Sequence, residues 1–318
     1  MPVRALPPRP TATARPAAAL LAAACLAVAA SAQAGGSAGT REGDTALPGL
    51  APLAGPDPQA PLYARLPEAV RLAGALRFVG DSHPPYRIVD DHRRISAGID
   101  PDLARALERQ LGLPIRHHVV NSLSATLAGL ESGRYDVAMG PAVATRERQQ
   151  RFDGVSWMTN RPAFVYPQDR TPRYTTPEHL CGRKIAYVAG SITERVVNRL
   201  SERCQRQGLP AAQHVPLVDT NMTLVATQAG RADLAGMTLT AASHAVHVNP
   251  QRFGLYSDAS GALGRDLLSL FVTKRSGLGP VLTEAMNRLM AEGQYARVMD
   301  HWGVAAVSVP QARFNQAQ

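Results

Sequence analysis

Aromatic side chains are scarce in this chain, 5% of 318 residues, and cysteine occurs three times. Few aromatics, with arginines spread along the chain, argue against the stacking platforms and basic stripes of a nucleic-acid binder. Cys-x-x-Cys spacing is missing, so a redox-active pair is not expected. Histidines gather only as His117-His118 and His244-x-x-His247, without a cysteine or carboxylate to complete a set, so no metal site is expected. Phosphate-cradling glycine motifs and nucleophile–base arrangements are also missing, and no cofactor is expected. Long hydrophobic runs are absent as well. The run over residues 17–30 falls short of the roughly 20 apolar residues of a membrane span.

That short run is informative in another way. Arg4, Arg9 and Arg15 precede it and Ala32-Gln33-Ala34 follows it, the layout of a signal peptide over residues 1–34. The chain is therefore expected to be exported to a bacterial periplasm. Leu21-Ala-Ala-Ala-Cys25 loosely resembles a lipobox, which would make Cys25 a lipid anchor, but the residues after Cys25 stay apolar. Loss of the three leader arginines lowers the formal charge of +9 by three, leaving a basic protein suited to an anionic ligand or an anionic membrane surface. Residues 35–71 are rich in Gly, Pro and Ala without periodicity and predict a disordered leader. With Cys25 removed, Cys181 and Cys204 are the remaining thiols. In an oxidising compartment they predict a disulfide, closing a loop of about two dozen residues worth about 3 kcal/mol.

Two stretches read almost alike. Gly133-Arg-Tyr-Asp136 and Gly230-Arg-Ala-Asp233 each stand between an amphipathic helix pattern and a short apolar strand. Gly before Asp is also ordinary helix-to-strand punctuation, but the distance between the copies suits two α/β lobes rather than a solenoid. Around the first copy, strands are predicted over 76–80, 115–119 and 135–139 and helices over 98–111 and 123–130. Residues 163–166 predict a strand leaving that sheet. A second alternation follows, with strands over 184–188, 214–217 and 233–237 and helices over 192–205, 222–229 and 240–247. A strand over 266–273 and a helix over 281–290 complete the pattern. Alternation of this kind predicts parallel sheets flanked by helices.

The order of motifs resembles the family 3 periplasmic solute-binding proteins, the receptors of polar amino-acid ABC transporters. The landmarks are Pro84-Pro85-Tyr86, Gly98-Ile-Asp-Pro-Asp102, Gly133-Arg-Tyr-Asp136 and Thr145-Arg-Glu-Arg148. Leu180-Cys-Gly-Arg-Lys184 with Gly190-Ser191, then Gly230-Arg-Ala-Asp233 and Trp302-Gly303, complete the set. The resemblance implies an α/β, two-lobed periplasmic-binding-protein type II-like fold. Each lobe is then a mixed sheet flanked by helices, and two crossing segments join the lobes. Lobe 1 is expected over 72–164 and 266–304, lobe 2 over 165–265, and a loose tail over 305–318.

The same resemblance places Tyr86, Val143, Thr145, Arg148, Ser191, Ile192 and Thr238 around a ligand. Thr145 suits a helix N-cap, and Arg148 would grip a carboxylate through a planar bidentate fork. Tyr86, stiffened by two prolines, would form a wall. Ser191 and Glu194 have capping-box spacing, and a helix N-terminus there would offer amides to an anion. Three departures stand out. Thr238 occupies the position where a carboxylate pairs with a ligand ammonium. Val143 and Pro141 replace hydroxyl residues, and Leu123 replaces a Trp.

The implied function is a monomeric, non-enzymatic receptor that delivers a small carboxylated solute to an inner-membrane ABC permease: an amino acid, an amino-acid derivative or an organic acid. Two alternatives share the scaffold. One is a cyclohexadienyl dehydratase-like enzyme, which needs a general acid in the cleft. The other is a ligand-sensing or accessory binding protein.

Overall fold

The apolar runs expected to be strands fall into two separate sheets. The computed structural model describes residues 47–169 and 174–316. The expected signal segment 1–34, with Cys25, and the leader as far as residue 46 lie outside the described residues. In chain order the first lobe contains α1 (Glu68–Ala73), β1 (Leu76–Asp81), a hairpin of β2 (Ile88–Val89) and β3 (Ile95–Ala97), and α2 (Ile99–Leu111). It continues through β4 (Ile115–Val120), α3 (Leu123–Glu131), β5 (Val137–Ala138), α4 (Arg146–Arg151) and β6 (Phe152–Asn160). The second lobe holds β7 (Pro162–Pro167), β8 (Lys184–Val188), α5 (Ile192–Arg206), β9 (Gln213–Leu217), α6 (Thr220–Gln228), β10 (Leu234–Thr238), α7 (Leu239–Val248) and β11 (Phe253–Ser257). The chain then returns to the first lobe as β12 (Asp266–Thr273), α8 (Leu278–Ala291), α9 (Gln294–His301) and β13 (Ser308–Phe314).

Strand order is β13-β6-β12-β5-β1-β4 in one sheet and β11-β7-β10-β8-β9 in the other. Each sheet is mixed, parallel where helices alternate with strands and antiparallel around the crossings. β7 lies wholly in the second sheet, so the first crossing falls at Arg161, ahead of the expected boundary at 164. The cause is β6, a buried strand that carries the first sheet up to Asn160.

The two Gly-Arg-x-Asp seams do the same job in each lobe. Gly133 and Gly230 take left-handed φ values of 72° and 76°, which end the preceding helices without a Cβ clash. Asp136 then accepts from Arg77 N at 2.7 Å, and its own N–H donates to Arg77 O at 2.9 Å. Asp233 repeats both bonds with Lys184, at 2.8 Å each. Each aspartate therefore locks its strand to the start of the neighbouring parallel strand, β5 to β1 and β10 to β8.

Two expectations of disorder are corrected. Leu62 and Leu66, assigned to a disordered leader over 35–71, are 1% and 2% exposed in the first-lobe core. A Pro- and Gly-rich segment lacks periodicity, yet its amides are satisfied here from outside. Leu47 N donates to Asp102 Oδ2 at 3.0 Å, Leu53 N to Glu108 Oε2 at 2.9 Å, and Asp57 N to Gly112 O at 2.8 Å. The expected loose tail contains β13, paired antiparallel with β6. Asn287 holds it by accepting from Ala312 N at 2.8 Å and donating to Ala312 O at 3.2 Å. Pro310 is tolerated because β13 is an edge strand.

One buried ion pair fixes the loop between β1 and α2. Arg87 and Asp100 are 1% and 0% exposed, with Nη2 3.0 Å from Oδ2. The guanidinium also donates to Asp81 O and Met139 O, both at 3.3 Å, tying together the ends of β1 and β5. It passes directly over Gly80, where a Cβ would lie 1.6 Å from Nη1. Burial pushes the Asp100 carboxyl up to about 6, against the opposing charges of Arg87 and His83.

In the second lobe Cys181 and Cys204 form the expected disulfide, tying α5 to the turn at Pro177–Leu180. Replacing both cysteines by serine is expected to lower unfolding free energy by about 3 kcal/mol. Urea denaturation measures it, and an unchanged midpoint contradicts the structural role. Arg87→Ala is expected to cost about 3–5 kcal/mol by stranding Asp100 in the interior. The apolar pair Arg87→Met with Asp100→Leu should recover most of that loss in the same assay. A double variant no more stable than Arg87→Ala would contradict the stranded-charge explanation.

Candidate functional site

Strand ends and helix starts from both lobes converge on one cavity of about 50 Å³. The first lobe contributes Asp81 at the end of β1, His83 after it, the apolar side of α3, the segment 139–142 after β5, and Arg148. The second contributes Val188, Ser191, Ile192, Thr193, Thr220, Met237 and Thr238. A crevice beyond the carboxyl ends of parallel strands is the usual ligand position in open α/β sheets. Side chains from the two lobes also touch across it. Arg148 reaches Gly190, His83 reaches Thr220, Tyr86 reaches Thr238, and Arg195 pairs with Glu147.

Arg148 is positioned by residues that do not themselves face the cavity. Thr145 caps α4, its hydroxyl accepting from Arg148 N at 3.2 Å. Val143 is buried and forms an isolated bridge with Leu268, and its carbonyl accepts from Arg148 Nη1 at 2.9 Å. Nη2 donates to Gly190 O of the second lobe at 3.0 Å. Among the described residues Arg148 forms no ion pair. Burial pulls the half-buried guanidinium down to about 10, Arg195 adding to the effect and Glu147 opposing it. The neighbouring Arg151 is neutralised by Glu131. Arg148 is thus a cation held by carbonyls and left with charge to spare.

Opposite it stands the start of α5. Ser191 and Glu194 do not close the expected reciprocal cap. Glu194 Oε2 accepts from Gly190 N at 2.7 Å, while the Ser191 hydroxyl makes no cap bond and is buried without a partner. A buried hydroxyl with unused donor capacity, beside the first-turn amides of a helix, suits an anion.

Tyr86 is placed differently from the wall its position implied. It is 0% exposed and packs edge-on against His83 and Trp157, behind the cavity lining. Its hydroxyl donates to Thr238 Oγ1 at 3.5 Å, and burial pushes the phenol up to about 12. Thr238 lines the cavity and caps α7 by accepting from Ala241 N at 3.1 Å. Arg148, Ser191, Ile192 and Thr238 therefore meet at the cavity, with Tyr86, Val143 and Thr145 as their supports.

Sequence reasoning missed Asp81, His83, Thr126, Thr193 and Thr220. The signal for Asp81 was its place at the carboxyl end of the first strand. Burial alone would raise its pKa, but the nearby His83 and Arg87 outweigh that and hold it below the usual carboxylate range. His83 Nδ1 lies 4.0 Å from Asp81 Oδ2 and 3.0 Å from Thr220 Oγ1. Among the described residues no group of three or more His, Cys, Asp or Glu is placed to hold a metal ion.

Residues 76–305 match the family model described as bacterial extracellular solute-binding proteins, family 3. The arginine-binding protein ArgT of Corynebacterium glutamicum is 24% identical over 264 residues, covering 82% of this chain and 84% of its own length. The amino-acid-binding protein AabA of Dichelobacter nodosus is 26% identical over 147 residues, 46% of this chain and 54% of its own. Among solved structures, the amino acid ABC transporter substrate-binding protein AbpA from Streptococcus pneumoniae, bound to L-arginine, superposes with a TM-score of 0.64. Identity there is 21%, over 75% of this chain and 99% of that one. The ancestral amino acid-binding protein AncCDT-1, a precursor of cyclohexadienyl dehydratase, gives a TM-score of 0.63 at 19% identity, over 74% and 97%. These structural likenesses show the shared two-lobed fold, and the family match spans most of the chain: it belongs to the bacterial extracellular solute-binding proteins, family 3.

Proposed function

We propose that this protein is the periplasmic receptor of an ABC transporter and that its cargo is a small carboxylated solute held between the lobes. The observation that carries this reading is Arg148, a guanidinium at the cavity with carbonyl partners only, facing the unpartnered hydroxyl of Ser191. A carboxylate entering there would complete a bidentate pair with Arg148 and accept from Ser191 and the α5 amides. Among the relatives, ArgT is named an arginine-binding protein and AbpA was solved bound to L-arginine. An inner-membrane permease is the expected partner, and closure over the solute creates the state it recognises.

A dehydratase on this scaffold needs an acid able to donate a proton into the cavity. Asp81 is held ionised, and Glu194 is committed to Gly190 N. Both features favour binding without chemistry.

Titration calorimetry of the purified protein against amino acids and organic acids tests the proposal. Arg148→Ala is expected to weaken the best ligand by about 2–5 kcal/mol, roughly thirtyfold or more. Arg148→Lys should fall between that variant and wild type, since lysine keeps the charge but loses the fork. Ser191→Ala is expected to cost about 1 kcal/mol. A ligand that binds Arg148→Ala as tightly as wild type would sink the assignment.

A further inference from the structure

Arg148 borders more than one space. A second cavity, of about 330 Å³ against about 50 Å³ for the first, lies between α3, α4 and the start of α5. Leu123, Leu127, Arg148, Ser191 and Ile192 line both, so the two spaces are separated by no more than the thickness of these side chains. Asp81, His83 and Thr238 line the first cavity alone. Most of the free volume that Arg148 and Ser191 border is therefore in the outer chamber.

The outer chamber is positively charged. Its lining sets the guanidiniums of Arg148, Arg151 and Arg195 against the carboxylate of Glu147. Arg195 pairs with Glu147 across the lobes, and Arg151 pairs with Glu131, which does not line the chamber. Both glutamates lie at the surface, Glu147 with 73% and Glu131 with 54% of the side chain exposed, and pairs of this kind contribute little. An arriving anion can take over either arginine at small cost. Helix geometry sets the spacing. Arg151 follows Arg148 by three residues on α4, and Arg195 follows Ser191, the residue that opens α5, by four, so each pair shares a helix face. At a rise of about 1.5 Å per residue, the second row stands about 5 Å from the first. The two carboxylates of an extended glutarate are separated by a similar distance.

We propose that the outer chamber is a second anion subsite and that the solute is a short dicarboxylic acid, its first carboxylate meeting Arg148 and Ser191 and its second meeting Arg195 and Arg151. This rests on the receptor reading and extends its site beyond the first cavity. The inner cavity receives any substituent on the carbon beside the first carboxylate. The second carboxylate replaces Glu147 as the partner of Arg195, and a guanidinium fork holds a carboxylate in a bidentate pair. Because Arg151 stands on α4 and Arg195 on α5, the same group bridges the two lobes. A monocarboxylate leaves both arginines to their surface glutamates.

Calorimetry on the wild-type protein tests it with matched acids that differ only in the second carboxylate. The pairs are valerate with glutarate, α-oxovalerate with α-oxoglutarate, and norvaline with glutamate, so the result does not depend on the inner substituent. The best diacid is expected to bind at least about tenfold tighter than its monoacid partner. Arg195→Gln should cut that advantage at least about fivefold, and Arg151→Gln should narrow it as well. Glu147→Gln, which frees Arg195, should keep or widen it. Thermal unfolding checks that the variants fold. Monoacids that match their diacid partners overturn the proposal, as does an advantage untouched by Arg195→Gln. Equal loss of the advantage in Arg195→Gln and Glu147→Gln assigns the effect to the cross-lobe pair itself and likewise overturns the subsite. If Arg148-dependent binding is confined to monocarboxylates, this inference fails and the receptor reading stands. Failure of every carboxylate to bind removes both.

Discussion

A guanidinium withdrawn from water and given no counter-ion is the constraint around which this molecule is arranged. Arg148 is held by Val143 O on its own lobe and Gly190 O on the other. Carbonyl dipoles orient it without neutralising it. The contrast with Arg87 makes the point. That side chain is more deeply buried, and Asp100 meets it at 3.0 Å, so its charge is consumed inside the fold. The two arginines therefore differ in kind: buried Arg87 builds the loop that lines the cavity, and half-buried Arg148 lines the cavity without an ion pair among the described residues.

The loop built by Arg87 links this electrostatics to closure. Ser82, His83 and Tyr86 lie on it, and Asp81 ends the strand that leads into it. Ser82 accepts from Asn221 at 3.4 Å, His83 bonds Thr220, and Tyr86 donates to Thr238. These cross-lobe contacts are few, polar and mostly long, and such hydrogen bonds contribute modestly to stability. A solute that meets Arg148 and Ser191 adds stronger, charge-assisted contacts to both walls. Closure is then a population shift that depends on the solute's differential contacts. Rigidity of the loop matters because its residues both line the cavity and touch the opposite lobe.

Much of this was legible in the sequence where structure is locally determined. The helix starting after Gly98, the strand Asp266–Thr273 and the strand–helix alternation of the second lobe follow from apolar periodicity and caps. β6 was not legible, because Asp153, Gly154 and Asn160 dilute its apolar signal and its pairing with β12 joins residues about a hundred positions apart. The leader from residue 47 onward and β13 share that cause. Their backbone groups are satisfied by Asp102, Glu108, Asn287 and β6, none of them sequence neighbours. At the site, Thr145 was legible as the cap of α4. Ser191 and Glu194 were misread because capping-box spacing does not say which amide the glutamate reaches. Asp81 was overlooked because a single carboxylate at the end of an apolar strand carries no periodicity of its own.

The paired Gly-Arg-x-Asp seams show how a repeated scaffold comes to hold an asymmetric site. Asp136 and Asp233 make the same two backbone bonds, so the repeat is explained by strand pairing and requires no ligand. What differs is the chain that follows. After the first seam β5 leads to Arg148, a charge that faces the cavity. After the second, β10 ends at Thr238, whose acceptor capacity is spent on Tyr86 and the first turn of α7. The carboxylate that lines the cavity is instead Asp81, at the end of the strand that the first seam anchors. Both fixed charges of the cavity thus belong to the first lobe, while the second contributes hydroxyls, amides and apolar surface. A solute meeting Arg148 can engage the first lobe before closure. The second lobe then contributes directional hydrogen bonds and the exclusion of water.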